Sequence, residues 1–209
     1  MTLEIYQAGL RMNQIISMTE PNQKIIIITA PSGSGKTSIT RHLLKTFPQL
    51  AFSVSAATRL PRNNEKEAID YYFMTEEEFQ KKIQRDEFVE WEMVYEGKYY
   101  GTLKSELKRI WDQGLIPVLD VDVKGAIHVQ EQFPKMIFSI FIEPPSIPEL
   151  KRRLDSRGTE TNESLQARIN KAAYELSFKH SFSKTIVNVN LQEAQKQAEK
   201  MVRDFIASY

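Results

Sequence analysis

The hydrophobic pattern becomes regular at Lys24. Residues Ile25 to Thr29 form a continuous β-branched run, as expected of a parallel strand covered on both faces. A loop from Ala30 to Gly35 then leads into a helical period over about Lys36 to Thr46, with Ile39, Leu43 and Leu44 on one face and Pro48 just beyond its end. Further buried-strand runs occur at Ile116 to Val121, Met136 to Ile142 and Thr185 to Val189. Between the last two, Ser146 and Glu149 have the spacing of a capping box, and Gln192 to Ser208 predicts a closing helix with Ala198, Met201, Val202 and Phe205 facing inward. Strands alternating with helices at this spacing predict an α/β fold built on a doubly wound parallel sheet.

Three stretches depart from that rhythm. Residues 1–23 have no clean period and read as an N-terminal extension. Residues 55–102 carry polar loops, an aromatic strand from Asp70 to Met74, a helix from Glu76 to Arg85 capped by Thr75 and Glu78, and an aromatic stretch from Phe88 to Tyr100. They are expected to form a lobe inserted into a core of residues 24–54 and 103–209. A charged piece from Arg157 to Glu163, with Gly158 inside it, separates two helices.

Composition narrows the function classes. The 28 Lys and Arg residues against 27 Asp and Glu leave a net charge of +1, so no basic surplus points to nucleic acid. Absence of cysteine removes disulfides, thiolate nucleophiles, Cys-ligated zinc and iron–sulfur clusters. The apolar run Ile25 to Ala30 is far too short to span a bilayer, and no signal peptide is apparent. The expectation is a cytoplasmic chain with no membrane contact. Its oligomeric state is not encoded in any pattern of this kind.

Candidate chemistry centres on Ala30, Pro31, Ser32, Gly33, Ser34, Gly35, Lys36 and Thr37, which fit the P-loop pattern except for Ala30 at the leading glycine position. Amides at the helix start point at phosphate oxygens, Lys36 neutralises outer-phosphate charge, and the Thr37 hydroxyl can reach Mg²⁺. Ala30 is expected to have an ordinary negative φ. Asp120, at the carboxyl end of its strand, could hold Mg²⁺ with Thr37, or be a strand-end turn residue. Asp122 projects the same way as Asp120 if the strand continues that far.

Arg59 and Arg62, with Glu65 and Tyr71 nearby, can fork onto one phosphate; a surface charge cluster has the same composition, and the loop at 30–37 favours the phosphate. Arg152, Arg153, Arg157 and Arg168 surround the second irregular piece, where Arg157 beside Gly158 could close on a transferring phosphoryl group. Arg152 and Arg153 equally suit a solvated helix face. Glu90, between Val89 and Trp91, needs donors. Guanine offers N1–H and N2–H₂ on one edge while adenine presents an acceptor, so a carboxylate selects guanine, and Ser55 and Thr102 can donate to O6. His42, His128 and His180 have no ligand spacing.

Together these residues resemble the guanylate kinase family. The matching stretches are IIIITAPSGSGKTS, FSVSAATRLPRNNEKEAIDYYF, EFVEWEMVYEGKYYGT, PVLDVDVKG, LKRRLDSRGTETNESLQARI and VNVN, in family order over nearly the whole chain from residue 24. The resemblance implies a P-loop NTPase fold with a mobile GMP-binding lobe and a short lid at about 156–168. It implies transfer of the γ-phosphoryl group of ATP to GMP, and to dGMP alongside it, with Mg²⁺. Ala30 to Thr37 and Ser38 would hold ATP, with Asn188 on its adenine side. Arg59, Arg62, Tyr71 and Tyr100 would grip the GMP phosphate, Glu65 would steady Arg62, and Ser55, Glu90 and Thr102 would read guanine. Asp120 and Asp122 match paired aspartates near Mg²⁺ and the nucleotide, and Arg157 and Arg168 match lid arginines. Departures from the family pattern are Ala30, Ala56, Ala57, Asn64, Lys124, Val189 and Asn190. The alternative class is a non-catalytic guanylate kinase-like module that binds phosphopeptides; Lys36, Thr37 and the lid arginines argue for the enzyme. A kinase for another monophosphate is opposed by Ser55, Glu90 and Thr102.

Overall fold

A computed structural model describes residues 23–62, 64–156 and 162–208. In chain order its elements are β1 (Ile25–Thr29), α1 (Lys36–Thr46), β2 (Leu50–Phe52), β3 (Ser55–Ala57), β4 (Tyr71–Phe73), α2 (Glu76–Gln84), β5 (Phe88–Tyr95), β6 (Lys98–Leu103), α3 (Lys104–Asp112), β7 (Ile116–Asp120), α4 (Val123–Gln132), β8 (Ile137–Glu143), α5 (Ile147–Asp155), α6 (Asn162–Leu176), β9 (Lys184–Val187) and α7 (Leu191–Ala207).

Five strands pair in the order β2-β7-β1-β8-β9, and every pairing is parallel. Fully buried β1 lies at the centre, and its alternate side chains serve two cores. Ile26 and Ile28 pack with Ile39 and Leu43 of α1 and with Ala194, Ala198 and Val202 of α7. Ile25 and Ile27 pack on the other face with Leu107 of α3 and with Ala126 and Val129 of α4. The doubly wound sheet expected from the sequence is present, with helices on both faces. Edge strand β2 is an addition: three residues are too short to carry a period.

Residues 55–103 build a second sheet in the order β4-β3-β6-β5, which mixes parallel and antiparallel pairings. The aromatic stretch is the β5–β6 hairpin, turned at Gly97 with φ 67°. A small core of Ala56, Phe79, Phe88 and Leu103 joins α2 to this sheet.

Local chemistry sets the helix ends. Thr75 and Glu78 make the full capping box at α2. At α5, Ser146 Oγ accepts from the Glu149 amide at 3.2 Å, but the Glu149 carboxylate turns to Arg152 and Arg153, so only half of the expected box forms. Asn190 caps α7 by accepting from the amides of Gln192 and Glu193. No helix among the described residues is long and apolar enough to cross a membrane.

Candidate active site

The phosphate loop follows directly from β1. Gly33 and Gly35 adopt φ of 91° and 99°, a backbone region open to glycine, whereas Ala30 is not among the positive-φ residues, as expected. Both glycines are also needed for space. A Cβ on Gly35 would collide with Asn188 Nδ2, and one on Gly33 would stand 2.9 Å from Leu154 Cδ2 of α5. No side chain caps α1 and no acid occupies its first turn, so the amides at its start remain available to an anion. Thr37 and Ser38 are exposed there.

Lys36 is ion-paired with Asp120, the last residue of β7, and its ammonium donates to the Val121 carbonyl at 3.3 Å. Thr29 Oγ1 donates to the same carbonyl at 3.0 Å, so the ends of β1 and β7 are joined beneath the loop. Arg168 of α6 reaches the loop, where Nη1 donates to Ser32 Oγ at 3.3 Å. Arg157, expected in the lid, lies outside the described residues. Asn188 is only 3% exposed; its side-chain amide donates to the Ser34 carbonyl at 2.7 Å, and its main-chain carbonyl accepts from Arg153 Nη2 at 3.0 Å. In this structure Asn188 braces the underside of the loop, a role that the adenine-side expectation did not include.

The second group of candidate residues stands on the second sheet. Arg59 donates to both oxygens of Glu65 at 2.5 and 2.7 Å and to Tyr100 Oη at 3.1 Å, and its guanidinium lies 4.8 Å from the Tyr71 ring centre. Glu65 was expected to steady Arg62, but its carboxylate meets Arg62 at the main-chain amide, at 2.8 Å, and its own amide donates to the Arg62 carbonyl at 2.9 Å. The correction is one of placement: the backbone after Pro61 brings the Arg62 amide to Glu65, while the fork of Arg59 takes both carboxylate oxygens. The Arg59 hydrogen bonds, helped by the Arg62 amide, hold the Glu65 carboxyl down to about 2.

Glu90 and Thr102 are direct cross-strand partners on β5 and β6, and Thr102 Oγ1 donates to Glu90 Oε1 at 2.7 Å. Glu90 is 6% exposed, and burial pushes its carboxyl up to about 7, against the Thr102 hydrogen bond and with help from the Asp122 charge. Ser55, Arg59, Arg62, Tyr71, Tyr100 and Glu90 line one cleft of about 440 Å³. Sequence reasoning missed Gly125 of α4, which admits the Glu90 carboxylate by lacking a Cβ.

Asp122 does not extend β7. It caps α4, with Oδ1 accepting from the Gly125 amide at 2.9 Å, because the chain turns into the helix directly after Val121. A further group missed by sequence reasoning, Glu92, meets Asp122 from β5. Its hydrogen bond to Asp122, then burial, raise Glu92 to about 7. Burial opposes ionisation of Asp122, but the bonds from Glu92 and the Gly125 amide bring it below the usual carboxylate range. Glu92 follows Glu90 by two positions on one strand face, a relation visible in sequence only once β5 is drawn with its register.

A second cleft is lined by the phosphate loop, Thr37, Ser38, Arg168 and Glu175. Ser32, Lys36, Asp122 and Lys171 line both clefts. One opening therefore has loop amides at one end, two arginines and two tyrosines at the other, and cations where the two meet.

The guanylate kinase family model matches residues 22–205. A guanylate kinase of Bacteroides fragilis is 43% identical over 199 residues, covering 93% of this chain and 98% of that protein. One of Porphyromonas gingivalis is 44% identical over 185 residues, covering 88% of this chain and 98% of the relative. The crystal structure of guanylate kinase from Anaplasma phagocytophilum superposes with a TM-score of 0.72 at 30% identity, covering 91% of this chain and 90% of that one. With a P-loop, a cleft lined by two arginines and these likenesses over nearly its full length, the chain belongs to the guanylate kinase family.

Proposed function

We propose that the loop cleft holds ATP, that the cleft on the second sheet holds GMP, and that the γ-phosphoryl group passes between them where they meet. Membership of the family makes the chain an ATP:GMP phosphotransferase, giving ADP and GDP. The observation that carries the division of labour is the junction at Ser32, Lys36, Asp122 and Lys171, which separates a phosphate-binding helix start from the buried carboxylate of Glu90.

Ala30 to Ser38 receive the triphosphate, and Lys36 moves from Asp120 to its outer oxygens. Arg157 and Arg168 approach from the lid. Arg59, Arg62, Tyr71 and Tyr100 hold the GMP phosphate, with Glu65 fixing the plane of Arg59. Ser55 and Glu90 read the guanine, with the buried Thr102 hydroxyl, expected from the sequence to donate to guanine itself, instead fixing the Glu90 carboxylate, and Asp122 closes the same pocket. The lobe of 55–102 and the lid of about 156–168 close around both nucleotides and keep water out. The acceptor oxygen is already anionic, so no general base is needed; positioning and charge neutralisation carry the reaction. The same contacts accept dGMP, since none of them requires the 2′-hydroxyl.

Among the described residues no cluster of three or more His, Asp or Glu side chains converges as a metal cage. The donor set of one hydroxyl, Thr37, and one carboxylate, Asp120, suits Mg²⁺, which takes few protein ligands and completes its shell with phosphate oxygens and water. When bound it supplies charge neutralisation on the phosphates. The reaction returns GMP to the purine nucleotide pool, and we place it in the cytoplasm, where ATP is available as donor.

The test is ADP formation from ATP and Mg²⁺ with GMP, dGMP, AMP and UMP offered separately, beside a control without acceptor. Turnover with GMP and dGMP, and little with AMP or UMP, is expected. Absence of turnover with retained binding of phosphopeptides would overturn the reading in favour of an interaction module.

A further inference from the structure

One cation at the junction has no part in the assignments above. Lys171 lies on α6 three positions after Arg168, so the two side chains share a helix face. Arg168 borders the donor cleft, whereas Lys171 borders both clefts. Its ammonium is 3.8 Å from Asp122 Oδ2 and 3.6 Å from Glu175 Oε1, so two carboxylates hold it by charge at separations longer than a hydrogen bond. The side chain is 54% exposed, and an ammonium carries three donors that a phosphate can use. Of the other groups common to both clefts, Asp122 is an acid, Ser32 is a neutral hydroxyl, and Lys36, paired with Asp120 here, is already assigned above to the outer oxygens of ATP.

Resting on the kinase reading above, we propose that Lys171 is a further catalytic residue, a cation that donates to the phosphoryl group as it passes from ATP to GMP. Charge in such a transfer spreads over the equatorial oxygens of the moving group. Arg59 and Arg62 face the acceptor and the loop amides face the donor. Lys171 stands between them and can follow the group across. The bond from the γ-phosphorus to the oxygen bridging it to the β-phosphorus breaks as a GMP phosphate oxygen bonds to the same phosphorus, and its electron pair leaves on ADP. Lys171 keeps its protons throughout.

The plain alternative is that Lys171 only balances Asp122 and Glu175. The two roles separate in a comparison of wild type, Lys171→Met and Lys171→Arg by kcat, by KM for each nucleotide, and by affinity for ADP, GMP and the complex of ADP, aluminium fluoride and GMP. For Lys171→Met the expected loss in kcat is on the order of 100-fold, with a matching loss of affinity for the fluoride complex and near-native binding of ADP and GMP singly. Lys171→Arg should regain part of both. A kcat within about threefold of wild type, or full recovery on adding Glu175→Gln to Lys171→Met, overturns the proposal. Thermal melting accompanies each variant, and if Lys171→Met is unfolded, Lys171→Gln takes its place under the same criteria. Wild-type protein that forms no ADP with GMP defeats the kinase reading itself, an outcome distinguishable because it involves no variant.

Discussion

Gly125 lies directly beneath the Glu90 carboxylate: a Cβ on Gly125 would stand 2.8 Å from Glu90 Oε2. The backbone there is ordinary helix, since Gly125 is absent from the positive-φ residues, so glycine is required by space and not by conformation. Gly125→Ala should therefore gain about 1 kcal/mol of helix propensity and lose at least as much to the clash with the buried Glu90 carboxylate, so its melting temperature should stay at or below that of wild type. It should also push Glu90 off the position fixed by Thr102. The expected result is a rise in KM for GMP of roughly 10- to 100-fold with KM for ATP unchanged. Steady-state kinetics with each nucleotide varied in turn, beside a melting curve, makes the check; an unaltered KM for GMP would detach Glu90 from guanine reading.

On the proposed reading, recognition of guanine N1–H and N2–H₂ needs Glu90 as carboxylate, and in the free protein burial pushes that group up to about 7. Raising the pH from about 6 to about 8 therefore increases the fraction of protein ready to bind, and kcat/KM for GMP should climb and then level off. Glu90→Gln should flatten this limb and weaken the preference for GMP over AMP. Persistence of the full limb in Glu90→Gln would assign it to another group, and Glu92, also raised to about 7, is the one to replace next.

The same shifts have a consequence for folding. Glu90 and Glu92 bind protons more tightly in the native chain than in the unfolded one, so the stability they lend is complete below the ordinary carboxyl range and is lost as pH rises toward about 7. The nucleotide-free protein should melt progressively lower between about pH 5 and pH 7.5. Glu92→Gln should flatten part of that decline. A melting temperature that rises across this window would contradict the buried, protonated state of the pair.

Lys36 is held by Asp120 and the Val121 carbonyl at the loop's edge, within reach of both clefts. Lys36→Ala removes the loop's own charge on the outer phosphate and should cost several kcal/mol of transition-state stabilisation, roughly a 10³-fold loss in kcat. Binding of GMP, which the proposed reading places on the second sheet, should change little. Single-turnover assays with excess enzyme give the rate, and near-native turnover would remove Lys36 from the chemistry.

The parallel sheet was legible because Ile25 to Thr29 and its counterparts are long, continuous and bounded by loops, and the phosphate loop because glycine spacing and the following helix coincide. Edge strand β2 and lobe strand β3 were not, since three residues such as Leu50 to Phe52 give no period to detect. Single residues were legible where chemistry is intrinsic to the side chain, as for Arg59 or Glu90. Pairings were not: Glu65 chose Arg59 over Arg62, and Asp122 became a helix cap, because both depend on where a turn falls and not on spacing alone. Glu92, Lys171 and Gly125 became visible only when separate elements were brought together in space.

The link between the two sheets runs through Glu106, a buried carboxylate in the first turn of α3. Its Oε1 accepts from the Val54 amide at 3.0 Å, between β2 of the core and β3 of the lobe, and its Oε2 accepts from Tyr72 Oη of β4 at 2.8 Å. Arg109 donates to both oxygens at 2.8 Å, and although burial opposes ionisation, these donors hold the Glu106 carboxyl below its ordinary range. Glu106→Ala would strand the Val54 amide and Tyr72 hydroxyl away from water, at a cost of about 3 kcal/mol. Glu106→Gln keeps the shape and one acceptor oxygen, so its loss should be smaller. Denaturant titration followed by tryptophan fluorescence reads the two values. Because Val54 precedes β3, which carries Ser55 of the proposed GMP cleft, the surviving folded fraction of Glu106→Ala should show a larger rise in KM for GMP than for ATP relative to wild type; equal changes in both would mean that Glu106 supports the whole chain and not the seating of the lobe.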